Sequence, residues 1–527
     1  MADQGHHGHH HFLIVVYGIQ SHINPAHVLA HRLTRLSVLG STSIRATLSL
    51  PIAIHRRIFS SSDDVAADDG GVISYVPYSD GLDDGSLPKD AEERARTRRA
   101  GFESLSAIIA SLAARGQPVT CIMCTMVLPS VLDVAVEHGL PLAVYWIQPA
   151  HVLAAYYRYF HGYGELIASH ATDLEYKVSL PGLSRPLRIH DFPYFLVDTT
   201  GNQMTKALNE AMRELFEYMD QRRPKVLINT FEELEPTVIA EMKTHMDLFA
   251  VGPMVGSSTE ARLHLFKHDD VDRKRYMDWL GAQPEKSVVY VSFGSVSKYK
   301  RQQMEEIVQG LKRCGRPYLL VVRKDGLEEE DMMSYISDSE TVQSLQGIVV
   351  EWCDQLEVLS QTAVGCFVTH CGWNSTLEAV VSGVPVVAVP NMFDQPTNAY
   401  LMEEEWLIGV KVERTREGIL TGTELARCIE LVMGEGAKAS VVREGTKALK
   451  WIAQKVADAG GHSEINLLDF VKTVQAHGPD KSKDHGAPTP SIIGEHTYLS
   501  SQKIPSASRS ALTLTLHSVS IKCAFKG

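Results

Sequence analysis

Val364-Gly-Cys-Phe-Val-Thr-His370-Cys-Gly372-Trp373-Asn374-Ser375-Thr-Leu-Glu378 runs from an apolar stretch through a glycine turn into a segment of helical character. A strand, a tight turn and a helix in that order make the turn of a βαβ unit, and the turn aims a helix amino terminus at whatever lies above the sheet. Free backbone N–H groups and the positive end of the helix dipole suit that place to a diphosphate, with His370, Asn374 and Ser375 adding donors. A plainer reading makes Ser375-Thr-Leu-Glu378 a capping box and His370 a satisfied core histidine. Taken alone, the segment leaves both readings open.

The same alternation extends in both directions and predicts an α/β chain built on parallel sheets. Strands are expected at Phe12 to Tyr17, Thr120 to Met123, Leu142 to Trp146 and Lys225 to Asn229 in the first half. In the second half they are expected at Ser287 to Ser292, Tyr318 to Val322, Ile348 to Glu351, Val364 to Thr369 and Val384 to Val389. After the first run, Asn24 is placed to cap a helix with Pro25 in its first turn and an end near Leu39, so His22 should sit at the strand-to-helix turn. Ligands of open parallel sheets bind beyond the carboxyl ends of strands, which directs attention to His22, Thr125, Gly294-Ser295, Trp352 to Gln355, His370 to Ser375 and Asn391 to Gln395. Trp352 beside Gln355 could stack on a planar base and hydrogen-bond it, and Asp394-Gln395 could hold sugar hydroxyls; each has an ordinary reading too, as core or as solvated loop.

With 527 residues, 44% of them hydrophobic, the chain is long enough for two domains of roughly 200 residues each. Sixty-three acidic residues against 51 basic ones give a net charge of −12 spread along the chain, which argues against nucleic acid or an anionic membrane surface as partner. Eight cysteines in so long a chain, several inside apolar runs, read as reduced thiols and favour the cytoplasm. Neither a secretory leader nor an apolar run of about 20 residues is present, so no membrane insertion is expected. The expected organisation is a His-rich disordered tail over 1–10, a first Rossmann-like domain over 11–253, a linker over 254–275 and a second such domain over 276–455. A helix over 456–475 should return to the first domain, and 476–527 should form a polar, disordered tail. His6, His7, His9, His10 and His11 are assigned no role.

From Trp352 to Gln395 the spacing Trp352-Cys353-Asp-Gln355, His370-Cys-Gly-Trp373-Asn374-Ser375, Glu378 and Pro390-Asn-Met-Phe-Asp394-Gln395 closely resembles the sugar-nucleotide signature of plant family 1 UDP-glycosyltransferases. With Ser292-Phe-Gly-Ser295, Asp278-Trp279-Leu280 and the His22 turn, the resemblance covers roughly residues 11 to 474. It implies a GT-B arrangement, two Rossmann-like domains facing across a cleft, with a UDP-sugar donor and a small-molecule acceptor as partners. It further implies that no metal or other cofactor is needed, and a monomer is expected. By position, Trp352, with Cys353 beside it, would stack on uracil; Gln355 and Glu378 would hold the ribose; Ser295, His370, Asn374 and Ser375 the diphosphate; and Trp373, Asp394 and Gln395 the sugar. A terminal Gln in this signature goes with glucose.

His22 matches the family's general base, which would take the acceptor's proton as its oxygen attacks the anomeric carbon with inversion. Family members usually carry an aspartate where this chain has Thr125, and Thr125 cannot stabilise an imidazolium as a carboxylate would. A carboxylic acid acceptor is already ionised at neutral pH while a phenol, with a pKa of about 10, needs a base, so Thr125 is the more tolerable for ester formation. Pro77-Tyr-Ser-Asp-Gly81-Leu-Asp-Asp-Gly85 and Trp146-Ile-Gln-Pro-Ala150 resemble the branch that holds auxin, crocetin, abscisate and anthocyanin 5-O-glucosyltransferases, in which both chemistries occur. Three alternatives compete. A metal-dependent transferase would need Asp-x-Asp at a strand end, and Asp270-Val-Asp272 lies in the linker; a Rossmann dehydrogenase would need Gly-x-Gly-x-x-Gly where only Gly18 stands. The third is a non-catalytic UDP-sugar or acceptor-binding protein, opposed by His22 and the complete donor signature.

Overall fold

Two parallel sheets carry the chain, each fed by apolar strands that alternate with amphipathic helices. The computed structural model describes residues 9–39, 43–59, 67–68, 73–126, 128–256, 263, 265, 270–295, 297–323 and 347–475. Strands of the first half are β1 (His9–Val15), β2 (Ser43–Pro51), β3 (Ala67–Asp68), β4 (Ile73–Tyr78), β5 (Cys121–Cys124), β6 (Leu142–Trp146), β7 (Lys177–Val178), β8 (Leu187–Arg188), β9 (Lys225–Ile228) and β10 (Leu248–Ala250). The second half supplies β11 (Val288–Ser292), β12 (Tyr318–Val321), β13 (Gly347–Val350), β14 (Val364–Thr369), β15 (Val386–Ala388) and β16 (Gly409–Lys411). The first sheet has the order β10-β9-β6-β5-β1-β2-β4-β3 and the second the order β13-β12-β11-β14-β15-β16, while β7 and β8 pair apart from both. Pairing is parallel throughout the two large sheets except at the short β3 edge.

In each sheet the order reverses beside the first strand, β1 between β2 and β5, and β11 between β12 and β14. Loops leaving the two strands of such a pair diverge, and the crevice between them is where ligands bind. Register brings their ends level: Val15 lies opposite Cys124, and Ser292 opposite Thr369. The segments after β1 and β5 therefore border one crevice, and those after β11 and β14 the other.

Several expectations are corrected. The first helix runs Gln20–Leu39 with Pro25 inside it, so His22 lies in the first helical turn and not ahead of it. Asn24 does not cap; its Oδ1 accepts from Gln20 Nε2 at 2.9 Å. Proline removes one N–H and leaves the carbonyl four residues back unpaired within the helix, here Ser21. That carbonyl accepts instead from Asn374 Nδ2 at 3.0 Å, which is why the proline is tolerated. At the amino terminus, His9 and His10 belong to β1, paired with Ser43 and Ile44, so the expected tail over 1–10 is too long. His10 stacks on Phe12, and His11 is fully buried, its Nε2 2.8 Å from Thr47 Oγ1 and its Nδ1 2.9 Å from the Gln117 carbonyl. His6, His7 and the expected tail over 476–527 lie outside the described residues.

The expected linker over 254–275 overlaps a helix, Asp270–Gly281, so Asp270-Val-Asp272 is helical. Two of the linker's described residues are held by one side chain, since Gln20 donates to the Leu263 carbonyl at 2.7 Å and accepts from Leu265 N at 2.8 Å. No helix among the described residues is long and apolar enough to cross a membrane. The helix His462–Gln475 lies against β10, where Asn466 Nδ2 donates to the Ala250 carbonyl at 2.8 Å and Ser463 Oγ to the Gly252 carbonyl at 2.6 Å. Phe470, fully buried, sits between Phe12 and Phe249 with ring centroids 5.9 and 5.8 Å away. Phe470→Ala should leave a cavity and cost about 3 to 5 kcal/mol, read as a lowered melting temperature by calorimetry.

Candidate active site

The first crevice holds His22 and Thr125. His22 Nδ1 lies 3.0 Å from both the Thr125 carbonyl and Thr125 Oγ1, and Oγ1 also accepts from the Tyr17 backbone N–H at 3.1 Å. A carbonyl can only accept, so the network assigns the imidazole proton to Nδ1 and leaves Nε2 with its lone pair. Burial pushes the His22 pKa down to about 4, with the Thr125 backbone bond opposing, so the ring is neutral at physiological pH. The Tyr17 ring lies 5.4 Å from it. His27 and His31, one turn apart, bond each other at 3.0 Å, and His27 bonds Tyr75 Oη at 2.8 Å.

The second crevice is built around His370. The helix that follows runs Trp373–Ser382 with Gly372 as its amino-terminal cap and no side-chain cap, so the capping-box reading of Ser375 fails. Its first N–H groups are left for another acceptor. The turn's left-handed residue is Cys371, at φ +67°, while Gly372 keeps an ordinary φ. Gly372 is required by close approach: a Cβ there would stand 2.5 Å from His370 Nε2, and one on Gly294 would stand equally close from the other side. The imidazole is thereby clamped between two glycines. Burial pushes its pKa down to about 4, opposed by a backbone hydrogen bond at Ser292.

Around this clamp the remaining residues converge. Gln355 Nε2 donates to Ser375 Oγ at 2.8 Å and to Glu378 Oε2 at 2.5 Å, while its Oε1 accepts from Tyr290 Oη at 3.2 Å. Tyr290, buried on β11, also lies 3.3 Å from Cys353 Sγ, so it orients the amide that joins the signature's two halves. Trp352 is half-buried beside Cys353, and Ser295 half-buried after β11. Asp394 is buried, which pushes its pKa up to about 6 despite the bond from Asn398 Nδ2 at 2.8 Å, and the same amide donates to the Cys371 carbonyl at 2.8 Å. Gln395 Oε1 accepts from the N–H groups of Asn391 and Met392 at 2.9 and 3.0 Å.

Signature residues on the helix after His370 reach the first half of the chain. Trp373 Nε1 donates to the Asn229 carbonyl at 2.7 Å, and Asn374 donates to the Ser21 carbonyl beside His22. The two crevices therefore face each other, with His22 one residue from a direct bond to the helix amino terminus at Trp373. Sequence reasoning missed Tyr290, Asn229, Asn398 and Tyr17. Tyr290 left one signal, a hydroxyl-bearing ring in an otherwise valine-rich strand; the others left none.

Two parallel α/β sheets with facing switch-point crevices define the GT-B class of fold. The sequence profile described as "UDP-glucoronosyl and UDP-glucosyl transferase" matches residues 253–444. Phloretin 4'-O-glucosyltransferase of Malus domestica is 38% identical over 489 residues, 88% of this chain and 98% of its own length. The chloroplastic crocetin glucosyltransferase of Gardenia jasminoides is 38% identical over 88% of this chain and 97% of its own. The UDP complex of Os79 from O. sativa superposes with a TM-score of 0.72 at 30% identity, covering 88% of this chain and all of that one. The chain belongs to the plant family 1 UDP-glycosyltransferases, in the branch that includes anthocyanin 5-O- and crocetin glucosyltransferases.

Gly372→Ala should push the His370 ring out of its clamp and weaken UDP binding by about 10- to 100-fold, the worth of a hydrogen bond to a charged group. Titration calorimetry with UDP checks it, with circular dichroism confirming that the fold persists.

Proposed function

We propose that this enzyme transfers glucose from UDP-glucose to a small plant metabolite with inversion, without a metal ion, as a cytoplasmic monomer. The observation that carries the reading is His22, neutral, with Nδ1–H turned to Thr125 and Nε2 left basic, across from the uncapped helix at Trp373. In the reaction, Nε2 takes the acceptor's proton while the acceptor oxygen attacks the anomeric carbon from the face opposite UDP. The bond from that carbon to the β-phosphate oxygen breaks, UDP leaves with the electron pair, and the configuration inverts to β.

The remaining roles follow from charge and shape. The diphosphate is met by the helix amino terminus with Ser295, His370, Asn374 and Ser375, fixed donors that need no reorganisation as charge builds on the leaving group. Trp352, beside Cys353, offers its ring to uracil, and Gln355 with Glu378 offers polar groups to the ribose. Trp373, Asp394 and Gln395 border the sugar, Trp373 through its backbone and ring edge since its indole N–H is engaged by Asn229. Relatives act on phloretin, crocetin and anthocyanidin glucosides by their names, which supports a small aromatic or polyene acceptor here.

Thr125 favours a carboxylate acceptor over a phenol. Without a carboxylate partner the imidazolium that forms when a phenol is deprotonated is unsupported, while an acid that is already ionised requires no proton transfer. His22→Ala should lower kcat/KM toward phenols by about 10²- to 10⁴-fold and toward carboxylic acids far less, with UDP affinity unchanged; coupled UDP-release assays separate the two. Loss of all turnover on both classes would contradict the acceptor preference but not the transferase.

A His22 pKa lowered to about 4 keeps the base unprotonated above that pH, so no acid limb in kcat/KM is expected near pH 6.5. Thr125→Asp supplies a counter-charge, should raise the His22 pKa and move that limb upward, and should improve phenols selectively. Unchanged selectivity would sink the carboxylate preference.

A further inference from the structure

One segment of the acceptor side reaches into the donor side beside the loop that carries Asp394 and Gln395. It comprises Ile189–Asp191 in a single 3-10 turn, Phe192-Pro193, and the short helix Tyr194–Val197. Asp191 is fully buried, and its two carboxylate oxygens are divided between the halves of the molecule. Oδ2 accepts from Arg188 Nε at 2.7 Å on its own side, and Oδ1 accepts from Lys411 Nζ at 2.7 Å, on β16 of the second sheet. His190 Nε2 stands 3.3 Å from Oδ1. Burial alone would raise this carboxyl, but His190, Lys411 and Arg188 outweigh it and hold it well below the usual carboxylate range.

Neighbouring bonds reach the loop of Asp394 and Gln395. The Asp191 carbonyl accepts from Thr397 Oγ1 at 2.7 Å, two residues after Gln395, and the Tyr194 N–H donates to the Phe393 carbonyl at 2.8 Å, one residue before Asp394. Phe195 and Phe393 meet edge to face with centroids 5.3 Å apart. Phe393 itself is at φ +59°, a left-handed conformation that a bulky side chain adopts only when its surroundings impose it. On the donor side the turn around Phe393 is closed by Gln395, whose N–H donates to the Met392 carbonyl at 3.1 Å, and Tyr194 and Phe195 add restraints from across the cleft.

We infer that Asp191 is a positioning residue for the donor sugar: anchored to Lys411, it holds the segment 189–195 against the loop Phe393-Asp394-Gln395 and so sets the sugar-facing geometry from the acceptor side. The inference rests on reading Asp394 and Gln395 as the residues that border the sugar. It also makes sugar affinity depend on a buried ion pair outside the residues that border the sugar.

The test compares two ligands that differ only in the sugar, UDP-glucose and UDP, by titration calorimetry on the full chain without acceptor. Asp191→Asn should weaken UDP-glucose by about fivefold to tenfold while leaving UDP within about twofold. Lys411→Met breaks the same pair from the donor side, should give the same split, and should add little in the double variant; it carries the test if Asp191→Asn does not fold. Equal weakening of both ligands, or of neither, or full additivity of the two substitutions, would overturn the inference. Because binding is read without turnover, an inactive wild-type enzyme that still prefers UDP-glucose over UDP would count against the proposed reaction and leave this comparison intact.

Discussion

In a parallel sheet every strand sends its following loop out of the same edge, and only where strand order reverses do two neighbouring loops part and leave a crevice. Among the described residues there are two such reversals, β1 beside β5 and β11 beside β14. The chemistry depends on both, because His22 and Thr125 come from one and His370 with the uncapped helix at Trp373 from the other. In the proposed reaction neither crevice suffices alone, since one would supply the base and the other the place for the diphosphate.

Two of the hydrogen bonds that join them each satisfy a group left open by local structure. Pro25 cannot supply the N–H that would satisfy the Ser21 carbonyl, and Asn374 from the other half does so. Trp373 brings a buried indole N–H that must find an acceptor, and Asn229 offers its carbonyl. Both bonds originate one turn or less from residues of the sites themselves. A shift between the halves would therefore break a bond and displace a site residue together, which makes domain alignment and site geometry the same variable.

Burial shifts the ionisable groups of both crevices before substrate binds. His22 and His370 are held neutral by burial, and Asp394 is pushed toward protonation. Preorganised donors opposite a neutral His22 need little rearrangement to meet an anionic nucleotide, and the dipole of the Trp373 helix supplies a positive field. The departure at Thr125 fits the same pattern: it keeps the tautomer of His22 through a backbone carbonyl but removes the only carboxylate that would have charged the base.

The positions of many strands and the turn at His370 were legible along the chain because they depend on local periodicity and on residue types at fixed spacing. Val364–Thr369 and Leu142–Trp146 fall where the apolar runs placed them. The edge strands β10 and β16, each three residues long, were not legible, since pairing with a neighbour and not local propensity makes them strands. The start of the first helix was misread for a related reason: Pro25 signals a boundary in isolation, but the cost of placing it inside the helix is removed by an amide 349 positions away. The sequence by itself determined which groups are available for acid–base work and phosphate binding. Tertiary structure alone decided their state, because burial sets the charge of His22 and His370, because two glycines from different strands clamp one imidazole, and because the bonds that align the two sites join residues hundreds of positions apart.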